Sequence, residues 1–278
     1  MAGSPEFRTA LALGGALLLA NAPACAQTAD RPLLAAFCNP EDIAGSTCKQ
    51  AKGYPNSGRG RACDVKLGAE RYSGNFTASG NPLLVVAYES GCEPHATDSG
   101  GAILFELSGD KYVFKSYQPG AQANNCVAVK DQRQDQLICL TGHMGQGILE
   151  SGVAQMVFTR NYSGEISVAP DYLLTAEDTV SAYGANTVTC KELSKYFGVS
   201  KLAAGPRPRT VSIKLDYADA GVIKTACGKG FPKPKKVFGK LSPGEAYVPE
   251  GKQKSGSFVI DLLTRKVEAE EAKPGASK

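Results

Sequence analysis

The chain has 278 residues, and its 42% apolar content is sufficient for a real core. A net charge of +4, the small difference between 31 basic and 27 acidic side chains, excludes a nucleic-acid binder built on one basic face. With 9 cysteines, 2 histidines and no tryptophan, the composition points to disulfides and away from zinc, which needs thiols and imidazoles in close-spaced pairs.

Residues 1–7 contain Gly3-Ser4-Pro5-Glu6-Phe7, which has the composition of a translated cloning linker. The apolar run from Leu11 to Ala20 is too short to span a bilayer as a helix. It has the length of a signal-peptide apolar region, and Pro23 and the small-x-small pattern Ala24-Cys25-Ala26 follow it. Residues 1–26 therefore read as a signal peptide, with the mature chain starting near Gln27 in the periplasm or outside the cell. Lipidation of Cys25 is the alternative: small residues precede it, although the aliphatic residue usually found three positions earlier is missing. No later segment approaches the length of a membrane-spanning helix.

Removing Cys25 from the 9 cysteines leaves an even number with no CxxC pair, which suits a disulfide framework in an oxidising compartment. Cys126 and Cys139 flank Val127 to Val129 and Leu137 to Ile138, joined by a polar stretch from Lys130 to Gln136. A hairpin centred between Gln132 and Arg133 sets these two cysteines opposite each other, close enough to bond. Cys38 with Cys48, Cys63 with Cys92 and Cys190 with Cys227 complete the pairing by proximity.

From Arg31 to about Gly60 the chain reads as irregular, with a short helix signal at Asn39-Pro40-Glu41-Asp42. Short β runs follow: Leu83 to Tyr88, Ala102 to Leu107, Lys111 to Tyr117, Cys126 to Val129, Gln136 to Leu140 and Val153 to Arg160, with turn residues between them. After Ser167, Thr175-Ala-Glu-Asp178 and Thr189-Cys-Lys-Glu192 have the form of helix starts, with stops at Gly184 and Gly198. Leu202 to Arg209 has linker composition, and alternation returns at Thr210 to Tyr217 and Ser257 to Leu263. The expected organisation is a β-rich region over 27–166, a second β-rich region with short helices over 167–265, and a disordered tail over 266–278. The fold class is mainly β: a disulfide-stabilised β-sandwich or a propeller-like repeat with a few short helices.

Leu83-Leu-Val-Val-Ala-Tyr88, a loop, and Gly101-Ala-Ile-Leu-Phe-Glu-Leu107 match Leu137-Ile-Cys-Leu140, a glycine-rich loop, and Gly152-Val-Ala-Gln-Met-Val-Phe158. The period is roughly fifty residues, the size of a four-stranded propeller blade. In this rhythm residues 83–166 resemble the VCBS and FG-GAP-like β-propeller repeats of exported proteins. The acidic calcium loop of that family is absent, so the resemblance implies no calcium and no cofactor is expected.

Asp98-Ser99-Gly100-Gly101 has the form of a serine-protease nucleophile motif, but the flanking residues and an upstream histidine segment are missing, so it reads as a turn. His95 and His143 fall in corresponding loops of the two repeat units. Beside Glu89, Glu93 and Asp98 they form the one candidate ligand or metal cluster. Lys224, Lys229, Lys233, Lys235, Lys236 and Lys240 form a basic patch suited to an anionic surface.

Two functions fit. The first is a non-catalytic binding or interaction module for a glycan, a small ligand or an envelope or host protein. The second is an extracytoplasmic hydrolase using paired carboxylates from Glu89, Glu93, Asp98 and Glu150. No catalytic motif decides between them.

Overall fold

The computed structural model describes residues 24–51, 53–54, 63–78, 80–90, 100–131, 133–145, 148–178, 196–228, 236–237, 240–241 and 250–270. The chain is mainly β. It opens with the helix α1, Ala24–Ala35, followed by a single 3-10 turn at Pro40–Asp42. The strands β1, Ile43–Ala44; β2, Thr47–Cys48; β3, Val65–Gly74; β4, Leu83–Ser90; β5, Gly100–Ser108; and β6, Lys111–Pro119, form one antiparallel sheet in chain order.

A second sheet follows in the same manner from β7, Cys126–Val129; β8, Gln136–Gly145; β9, Ile148–Arg160; and β10, Ile166–Asp178. The third comprises β11, Tyr196–Ala204, and β12, Thr210–Tyr217, then β15, Lys254–Asp261, and β16, Val267–Ala269. The helix α2, Ala220–Gly228, and the short pair β13, Lys236–Val237, and β14, Lys240–Leu241, lie between β12 and β15 in the chain.

Strands buried on both faces need continuous apolar runs, whereas half-exposed strands need alternation. Leu83 to Tyr88 is such a run, and all six residues are buried. Leu84, Val86 and Tyr88 join a core with Leu33, Leu34 and Phe37 from α1 and the segment after it. Leu83 and Val85 lie in a different core, shared with Leu137 and Cys139 of β8, Met156 and Phe158 of β9 and Ile166 of β10. Ile138 of β8 lies in a third core with Val153, Leu173, Val211, Ile213, Leu215 and Ile260. Each such buried aliphatic side chain contributes about 1.5–3 kcal/mol.

Polar ties join the same layers. Glu106 of β5 bonds Arg160 of β9 at 2.7 Å and Lys115 of β6 at 3.2 Å. Arg209 reaches Asp131 at 2.9 Å, and Arg265 pairs with Asp171 of β10. Asp30 of α1, almost fully buried, is paired with Arg71 of β3.

Cys38 is bonded to Cys48 and Cys126 to Cys139. Cys126 faces Cys139 directly in the β7–β8 register, at a Cα separation of 4.0 Å. Cys63 is also disulfide-bonded, while Cys92 and Cys190 lie outside the described residues.

Three sequence expectations are corrected. Thr175 to Asp178 is the end of β10, paired with Leu149 to Gly152 of β9; cross-strand pairing outweighs the local cap-like pattern. Leu202 to Ala204 closes β11, and residues 205–209 turn it into β12, with the Gly205 N–H donating to the Thr210 carbonyl at 2.9 Å. Glu268 and Ala269, assigned to a disordered tail, pair with Val259 and Phe258. The second expected helix start, at Thr189, lies outside the described residues.

Candidate functional site

A cleft of about 880 Å³ opens where the first and second sheets diverge. Its lining comes from the end of β4 (Tyr88, Glu89, Ser90), the start of β5 (Gly100, Gly101), the segment after β6 (Gly120 to Gln122, and Asn124), and the middle of β8, β9 and β10. From those last three strands come Thr141, Gly142, Ser151, Gly152, Met156, Pro170, Tyr172 and Thr175. Among the described residues, Glu89 is the one charged residue in this lining.

Two glycines explain how the strands come together here. A Cβ on Gly101 would stand 2.1 Å from the Gln118 carbonyl oxygen of β6, and one on Gly152 would stand 2.6 Å from the Leu174 carbonyl oxygen of β10. Both distances are far below carbon–oxygen contact, so any side chain would push the neighbouring strand away. Gly101 and Gly152 also open the second apolar run in each of the two similar sequence units, inside β5 and β9. They do the same packing work in the first and second sheets.

The β10 bulge shapes the opposite wall. Pro170 pairs with Met156 and Tyr172 with Ala154; the register then shifts by one, so that Leu174 pairs with Val153 and Thr175 with Gly152. A bulge moves residues between faces, and this one sends the buried Leu173 to the third core while returning Thr175 to the row of Gly152 and Thr141. Gly142 donates its N–H to Gln122 Oε1 at 3.3 Å, tying the segment after β6 to β8. Ser151 Oγ accepts from the Val199 N–H of β11 at 3.1 Å.

The sequence-predicted residues are only partly brought together. Glu89 lies on the cleft rim with its side chain 75% exposed, paired with Lys66 at 3.4 Å. His143 is not in a loop: β8 runs through Gly145, and His143 pairs opposite Glu150 of β9, which pairs opposite Glu177 of β10. The loop expectation failed because Thr141 to Gly147 is rich in glycine, yet ladder bonding to β9 carries β8 as far as Gly145. His95, Glu93 and Asp98 lie outside the described residues, as do Lys229, Lys233 and Lys235. Lys236 pairs opposite Leu241 and Lys240 opposite Val237, while Lys224 is exposed on α2. Among the described residues no group of three or more His, Cys, Asp or Glu side chains could hold a metal.

Sequence reasoning missed Ser90, Gln122, Asn124, Thr141, Tyr172 and Thr175, because uncharged polar residues carry no spacing motif. The corresponding glycines, Gly101 and Gly152, at the second run of each similar unit were the available signal. Comparison with known proteins finds no matching family, no matching curated protein and no matching solved structure.

Proposed function

We propose that this protein is a non-catalytic binding module that works outside the cytoplasm, in the periplasm or after secretion. Its ligand, on this reading, is a small uncharged polar molecule held in the cleft between the first two sheets. The observation that carries the reading is the lining: among the described residues, hydroxyls, carboxamides and glycine backbone stand beside Met156, Pro170 and Tyr172, with one carboxylate at the rim engaged by a lysine. Charged ligands need an opposite charge when they leave water, whereas a lining of hydroxyls and carboxamides can pair the polar groups of a neutral ligand. An uncharged ligand rich in donors and acceptors fits such a lining.

The disulfides support an oxidising compartment, since cytosolic reductants keep such thiols free. The succession of antiparallel sheets, with β7 lying against both β3 and β11, supports a propeller-like reading in which the sheets are blades. Of the carboxylates named for the hydrolase reading, Glu89 is exposed, whereas a general acid works best in a dry pocket, and Glu93 and Asp98 lie outside the described residues.

The test is a ligand-observed NMR screen of uncharged polyols, amides and sugars against the wild type and Thr175→Trp. Thr175 is exposed on a strand, where tryptophan is well tolerated, so the variant fills the cleft without disturbing the fold. Hits that bind the wild type and are lost in Thr175→Trp are expected. Hits that survive the substitution, or the lack of any hit, contradict the reading.

A further inference from the structure

We infer that the ligand class of this cleft is a neutral carbohydrate, stacked on the ring of Tyr172; this rests on the binding reading above. Tyr172 and Pro170 share the face of β10 whose partners on β9, Ala154 and Met156, are buried. At the β10 edge that cover ends, and Tyr172 remains 56% exposed within the cleft lining. Inside the cleft this exposed ring is apolar area that a bound ligand could cover. An aromatic ring beside a proline offers a flat apolar surface of the kind that stacks on the C–H face of a pyranose.

The groups around that surface have matching chemistry. Ser90, Thr141 and Thr175 carry hydroxyls, and Gln122 and Asn124 carry carboxamides; every one of them can both donate and accept. Sugar hydroxyls also donate and accept, so each can be paired on burial. Among the described lining residues a sulfated or uronic glycan would find no cation, and an organic cation would meet Glu89, which Lys66 already holds. The cleft volume of about 880 Å³ lies in the range that encloses a small ligand, with room for a short oligosaccharide.

Cello-, chito- and malto-oligosaccharides, with oligogalacturonate as the anionic control, should be titrated into the full chain by calorimetry. Tyrosine emission gives a parallel readout, since the chain has no tryptophan to mask it. At least one neutral series is expected to bind. Tyr172→Ala is expected to weaken that binding by about tenfold or more, and Tyr172→Phe by no more than about threefold. The inference is overturned if no neutral oligosaccharide binds, if the anionic series binds more tightly, or if Tyr172→Ala leaves affinity unchanged. Non-sugar polyols or amides that bind the wild type and are blocked in Thr175→Trp, with all sugars silent, would sink the carbohydrate assignment alone. Binding of any kind that ignores Thr175→Trp would sink the cleft reading with it.

Discussion

Glu106 holds two cations from two strands, and its surroundings set how the protein responds to acid. Burial alone would raise its carboxyl, but hydrogen bonds and charge from Arg160 and Lys115 outweigh that and hold it below the usual carboxylate range. Asp135, 5% exposed, behaves likewise: burial raises it, and the bonds from Lys130 and the Asn75 and Asp131 backbone lower it overall. A carboxyl depressed in the folded state contributes stability that is present above its unfolded value and is lost as pH falls through the folded value. Denaturant midpoints should therefore hold steady near neutrality and fall below about pH 4. The drop should be shallower in Glu106→Gln, and an unchanged acid limb would contradict the assignment. At neutral pH Glu106→Ala leaves Arg160 without its partner and is expected to cost about 3 kcal/mol by urea melts. At the alkaline end Tyr72 is pushed up to about 12, first by burial and then by its bond to Glu70. Tyr117 is raised as well, by burial and by Tyr54. Tyrosinate absorbance should accordingly show late-ionising phenols in the folded protein that vanish in denaturant, and a single uniform titration would contradict this.

Among the elements, β10 shows how an edge strand is kept from pairing with other chains. Its outer edge is partly sealed by side chains of β6: Gln118 accepts from the Val168 N–H and donates to the Ile166 carbonyl, both at 3.0 Å, and Ser116 donates to the same carbonyl. Pro170 then removes a donor from the strand. Gln118→Ala is expected to cost about 1–2 kcal/mol and to raise aggregation measured by light scattering; a variant as soluble and stable as the wild type would refute the clamp. Strands with unbroken apolar runs or clean turns, such as β4, β7 and β12, were legible in the sequence. β3 and β11 were not, because bulges break their alternation: the β3 register jumps between Leu67 and Arg71, and β11 shifts twice, once beside Lys201 with its left-handed φ of 55°. The β7–β8 disulfide was legible because a symmetric hairpin has only one register that places its cysteines face to face. Replacing Cys126 and Cys139 together by serine should lower stability by about 3 kcal/mol, read by thermal melts under non-reducing conditions.

At the scale of the whole molecule, three antiparallel sheets follow one another along the chain, and cores shared between them leave a cleft where the first two diverge. The cleft was barely legible in sequence, because it is assembled from single uncharged residues on strands far apart in the chain. Charged and histidine-bearing segments drew attention instead, and among the described residues Glu89 is the one of those that reaches the lining. Ligand binding, on the reading proposed above, is performed by this cleft. Its most direct test is a chemical-shift map on isotope-labelled wild-type protein, titrated with whichever uncharged ligand the screen returns. Shifts confined to Ser90, Gly101, Gln122, Thr141, Tyr172 and Thr175 are the predicted result. Shifts clustered instead between Lys224 and Lys240, with the cleft silent, would contradict it and move the functional surface to the basic segment.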